Sequence, residues 1–73
     1  MSGFCYQTSR GTVFIVHRNG LWDVMYDGES LGSHVTPAAA VDDVAGGYTY
    51  SPSNGVDFAD LDIPDGIGDW ERF

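Results

Sequence analysis

The stretch TVFIVHRNGLWDVMYDGESLGSHV, residues 12–35, decides the fold. Residues 12–18 and 21–26 are rich in β-branched and aromatic side chains, which suit a pleated, half-buried surface. Between them stands Asn19-Gly20, and after them Asp27-Gly28; both dipeptides tolerate the positive φ that a type I′ turn needs at its two central positions. Two such turns predict an antiparallel meander whose third strand is 29–35. Because two-residue turns fix register, Arg18 should face Leu21, His17 face Trp22, Ile15 face Val24 and Val13 face Tyr26. Across the second turn the same rule pairs Tyr26 with Glu29, Val24 with Leu31 and Trp22 with Ser33.

One face of this meander gathers Val13, Ile15, His17, Trp22, Val24, Tyr26 and Leu31 and is the better core. The other mixes Phe14, Val16, Leu21 and Met25 with Arg18 and Asp23; a monomer is expected, and this face leaves a dimer open. Its cover is expected from the N-terminal segment (Phe4, Tyr6) or from the C-terminal tail.

Working toward the C-terminus, Thr36-Pro37 predicts a helix start, since threonine can cap and proline is preorganised at the first helical position. Residues 38–45 continue it and Gly46-Gly47 stop it. Ala38, Val41 and Ala45, with Val44 beside them, form the expected apolar stripe, with Asp42 and Asp43 pointing away. Both acids sit in the last turn, where the helix dipole disfavours negative charge. Residues 48–51 (YTYS) read as a short fourth strand or extended segment, and 51–55 (SPSNG) as a turn. The remainder, VDFADLDIPDGIGDWERF, fits neither helical nor strand periodicity. It predicts an extended strap with short turns, burying Phe58, Leu61, Ile63 and Trp70 while Asp57, Asp60, Asp62, Asp65 and Asp69 project outward. The expected architecture is therefore α+β: a three- to four-stranded antiparallel meander (1–35), one short helix and its cap packed on it (36–47), and an extended acidic C-terminal strap (48–73), forming one small domain.

Charge is distributed unevenly over this frame. Residues 1–41 hold Asp23, Asp27 and Glu29 against Arg10 and Arg18, whereas residues 42–73 hold eight acids against Arg72 alone. Lysine is absent and the formal net charge is −8. Phosphates would be repelled, so direct binding to nucleic acid or to an anionic membrane is not expected. No segment approaches the roughly 20 apolar residues of a membrane span, and no signal-peptide run opens the chain, so a cytoplasmic location is expected. The single cysteine, Cys5, cannot form an internal disulfide and has no sequence neighbour that would activate it.

Catalytic and metal chemistries fit poorly. Read as a calcium loop from Asp60, the chain gives Asp62 at the third position and Glu71 at the twelfth, but Pro64 at the fifth and Asp65 where glycine is required. His17, His34 and Cys5 are too scattered for a transition-metal site, and Gly46-Gly47 follows a helix, whereas phosphate loops precede one. No nucleophile–base pair is evident. Neither an enzyme nor a cofactor is expected. Trp22 reads as core; Trp70, between Asp69 and Glu71, reads either as an anchor for the tail or as an interface aromatic.

A short, single-domain, strongly acidic chain of this type resembles the small anti-CRISPR proteins of phages and mobile elements, and within them inhibitors of type I systems, type I-C among these. The stretch LWDVMYDGESLGSHVTPAAAVDDVAGG is also similar to small bacterial proteins with a W-x-V-x-x-D-G hairpin followed by a T-P-capped helix. The first resemblance implies a non-enzymatic inhibitor that occupies the basic DNA-binding surface of a protein partner, such as a subunit of a type I Cascade complex. On that reading Asp57, Asp60, Asp62, Asp65, Asp69 and Glu71 form the main DNA-mimicking surface, Asp42 and Asp43 extend it, and Trp70 is its apolar anchor. The bland alternative is a structural or adaptor module whose acids only confer solubility.

Overall fold

A computed structural model describes residues 3–49, 52 and 55–73. The strands are β1 (Gly3–Thr8), β2 (Gly11–Arg18), β3 (Leu21–Tyr26) and β4 (Glu29–His34), followed by helix α1 (Pro37–Gly46), two 3₁₀ turns at Phe58–Asp60 and Ile67–Asp69, and a final strand β5 (Glu71–Arg72). All strand pairs are antiparallel, in the order β4-β3-β2-β1-β5. The expected α+β domain is present, with a sheet of five strands. Its two additional members come from the ends of the chain. The N-terminal segment expected to cover a face is instead β1, paired edge-on to β2. The tail returns as β5 to pair with β1, and the Gly3 and Phe73 backbones exchange two hydrogen bonds of 3.2 and 3.1 Å.

Both hairpin turns have the geometry that their dipeptides predict: φ is 53° and 79° at Asn19-Gly20, and 52° and 80° at Asp27-Gly28. The register from Val13–Tyr26 to Arg18–Leu21 is as derived from the first turn. Across the second turn Tyr26 pairs with Glu29, but the register then shifts, so that Asp23 faces Ser33 and Trp22 faces His34 rather than Ser33. The cause is a bulge: Leu31 and Gly32 together oppose Val24, and Gly32 takes φ 140°, a conformation that side chains rarely adopt. The extra residue keeps Leu31 in the core while moving Ser33 opposite Asp23.

Thr36 caps α1 through a 3.1 Å hydrogen bond from the Ala39 N–H to its Oγ1, with Pro37 in the first turn. Gly47 ends the helix at φ 74°, its N–H donating to the Val44 carbonyl and that of Tyr48 to the Asp43 carbonyl, a Schellman closure. The buried stripe is Ala40, Val41 and Val44; Ala38 is exposed and Ala45 half-buried, so the helix is rotated relative to the expected stripe. Small side chains let it lie close to Val13, Ile15 and Val24, which are fully buried. The strap completes the core with Val56, Phe58, Ile63 and Trp70, Phe58 meeting Tyr26 edge-on at 5.1 Å. Of the segment expected at 48–51, Tyr48 and Thr49 lie outside the sheet; Tyr50 and Ser51 are not among the described residues, nor are Ser53 and Asn54 of the expected 51–55 turn. No described helix is long and apolar enough to cross a membrane.

Candidate functional site

The acidic side chains divide among three neighbourhoods. The first lies where α1 meets the strap. There Asp42, Asp62 and Asp65, all exposed, surround a shallow depression with Tyr48, Ile63 and Pro64. Asp62 is held at φ 52°, just before buried Ile63, which pins the backbone and leaves the carboxylate in solvent. Asp57 borders a neighbouring depression with Gly47 and Phe58, and its Oδ1 accepts a 3.0 Å hydrogen bond from the Ala59 N–H, capping the first 3₁₀ turn. Asp60 and Asp69 are exposed on the two 3₁₀ turns.

Asp43 belongs to the second neighbourhood, on the flank of α1 that faces β4. Its Oδ2 is 3.1 Å from His34 Nε2, within ion-pair range but outside hydrogen-bond geometry. Asp43 therefore does not point away from the sheet as its sequence position suggested. Glu71 forms the third: it sits on β5, opposite Cys5, at the sheet edge remote from β4. With four strand spacings of about 4.8 Å between them, the outermost strands are roughly 19 Å apart. The structure thus brings Asp42, Asp62 and Asp65 together and separates Asp43 and Glu71.

Trp70 lies inside the molecule. It is 5% exposed, its Nε1 donates to the Pro64 carbonyl at 3.1 Å, and its ring packs 5.6 Å from that of Tyr6. The indole anchors the strap and presents no apolar surface to a partner.

Two of the three arginines are engaged elsewhere. Arg18 Nε and Nη2 both donate to Asp23 Oδ2, at 3.1 and 2.7 Å, and the Arg72 guanidinium stands 5.6 Å over the ring of Phe4. Among the described residues, no arginine forms an ion pair with a carboxylate of the strap. The strap acids stay uncompensated, held on a backbone fixed from beneath by Phe58, Ile63 and Trp70.

Asp23 is the acid whose role its sequence position only half revealed. The register puts Arg18 diagonally across from it on the same face, a visible signal; the bulge adds Ser33, whose hydroxyl donates to Asp23 Oδ1. That hydroxyl first, and the guanidinium after it, hold the carboxyl below its usual range although burial acts in the opposite direction. Burial, with Glu71 adding to it, pushes the Cys5 thiol up, which disfavours the reactive thiolate. His17 stacks on Trp22 at 4.4 Å, a packing contact. Among the described residues no group of three His, Cys, Asp or Glu side chains could share a metal ion.

No family model matches the chain, and comparisons with curated proteins and with solved structures found no match.

Proposed function

We propose that this protein is a non-enzymatic inhibitor that binds the basic, DNA-gripping surface of a nucleic-acid-handling effector through its acidic helix–strap side, in the manner of the anti-CRISPR proteins it resembles. The observation that carries this reading is the uncompensated group Asp42, Asp62 and Asp65, flanked by Asp57 and Asp60, on a seam that core side chains hold rigid. Duplex DNA presents one charge per roughly 1.7 Å of axis, and rigid carboxylates can compete for the same arginine and lysine channel without paying to order themselves. The net charge of −8 would accelerate encounter with a cationic partner by steering. The effector class is a type I Cascade subunit in the cytoplasm of a host bacterium, and the step blocked is its binding of target DNA.

The test is a gel-shift competition between labelled duplex DNA and the protein on purified type I Cascade. The protein should displace DNA with an affinity that weakens steeply as salt rises. Asp62→Lys with Asp65→Lys should weaken inhibition at least tenfold while leaving the circular dichroism spectrum unchanged. Full inhibition by that folded double variant refutes the site. A second reading, a structural or adaptor module whose acids only solubilise, draws on the separation of Asp43 and Glu71 to opposite sides of the sheet. It requires salt-insensitive partner binding.

A further inference from the structure

The helix and strap pack on one face of the sheet. The opposite face carries Phe14, Val16, Leu21, Met25 and Phe73, with Phe14 and Leu21 each 39% exposed and Phe73 47%. Phe73 meets Phe14 edge-on at 5.8 Å, continuing the apolar strip to the β5 edge. Beside Val16 lies the ion pair Arg18–Asp23, already closed within the chain and completed by the Ser33 hydroxyl. Burying a charge is costly when it leaves the partner unpaired; here Asp23 is already buried and satisfied, so the cost of covering the pair falls on the Arg18 guanidinium, 56% exposed but held by two hydrogen bonds to Asp23.

We propose that this open face is a homodimer interface, with a second copy of the chain as its occupant. Charge selects that occupant. The face and its rim hold Arg10 and Arg18 against Asp23, Asp27 and Glu71, close to neutral, whereas Asp42, Asp43 and the five strap aspartates belong to the other layer. A strongly basic partner is drawn to the acidic layer and gains nothing here. A second copy offers the same neutral apolar strip, and a two-fold arrangement makes the contact self-complementary while turning both acidic layers outward. Size agrees. Four full strands about 4.8 Å apart and six to eight residues long give a face on the order of 400–500 Å² in plan. Counted as accessible area over two copies, that reaches about 1,200 Å², the lower bound for specific interfaces and the range of reversible dimers. Sheets stacked face to face at about 10 Å would let Phe14 and Leu21 of the two copies interdigitate. Dimerisation here is independent of what the acidic layer binds.

Sedimentation equilibrium from about 1 μM to about 1 mM, at low and at high salt, tests it. The wild-type mass should climb from the 7.9 kDa monomer toward twice that value, and high salt, which screens the mutual repulsion of two acidic chains, should strengthen association. Phe14→Asp and Leu21→Asp should each weaken association at least tenfold, and Asp62→Lys should not. Monomeric behaviour of the wild type throughout overturns the proposal and leaves the face to a different partner. So does association that survives both substitutions, which would put the contact elsewhere. Should circular dichroism show Phe14→Asp unfolded, Leu21→Asp, at the far end of the face beside the Asn19-Gly20 turn, decides alone.

Discussion

Replacing Trp70 by alanine removes the largest side chain of the strap from a site only 5% exposed. Truncations of buried tryptophan cost about 3–5 kcal/mol, combining lost transfer energy with the cavity left behind. The Pro64 carbonyl, which accepts from Nε1 at 3.1 Å, would lose its partner, adding about 1 kcal/mol where water cannot reach it. A chain of 73 residues has a total stability of about 4–11 kcal/mol, so Trp70→Ala should consume roughly a third of it or more. The strap should detach first, carrying β5 away from β1. Urea unfolding followed by circular dichroism measures the loss, and amide exchange at Gly3 and Cys5, whose N–H groups face β5, reports the freed edge. Trp70→Phe, which keeps most of the apolar area but not the N–H, should cost about 1–2 kcal/mol. A loss under about 1 kcal/mol for Trp70→Ala, with exchange at β1 unchanged, would refute the anchoring role and return the indole to the surface as a contact residue.

Two further outcomes follow from the backbone and from the buried acid. At Gly47, with φ 74°, an added Cβ would lie 2.9 Å from the Ala59 Cβ, so Gly47→Ala should cost about 2–3 kcal/mol; Gly20→Ala, at φ 79° with open space around it, should cost about 1 kcal/mol, and equal losses in thermal melts would refute the close approach of helix end and strap. The carboxyl of Asp23 is held below its unfolded value, so its contribution is fully present above about pH 4 and is lost as pH falls toward the lower folded value. Asp23→Asn should therefore lose less stability than the wild type between about pH 5 and pH 2 in urea titrations, and parallel curves would contradict that account.

Much of the fold was legible because it rests on local chemistry. Asn19-Gly20 and Asp27-Gly28 dictate their turns whatever surrounds them, and Thr36-Pro37 and Gly47 bound the helix by side-chain and φ requirements that act within a few residues. What escaped was non-local. Nothing in GFCYQT distinguishes a strand that joins the edge of β2 from a segment that covers its face, and β5 exists only because Trp70 has already been drawn inward beside Tyr6. The bulge at Leu31-Gly32 is marked only by a glycine in a strand, a weak sign, yet it moves Ser33 beneath Asp23. In the acidic segment, outward projection of the aspartates followed from the apolar residues between them. Their grouping depended on where the strap crosses α1, and α1 itself is rotated from the stripe that Ala38 and Ala45 suggested.

The margins of the sheet bear on how the protein behaves when concentrated. Along β4 the bulge with Gly32 at φ 140° breaks the row of backbone donors and acceptors that a straight border would offer. Along β1 the border is occupied at Phe4 and Cys5 by the two-residue strand Glu71–Arg72, so a newcomer meets an interrupted, charged fringe. Neither side is a template for adding strands from other molecules, the route by which small β-rich proteins grow into fibrils. Crowded solutions of this chain should therefore yield assemblies of finite size rather than amyloid.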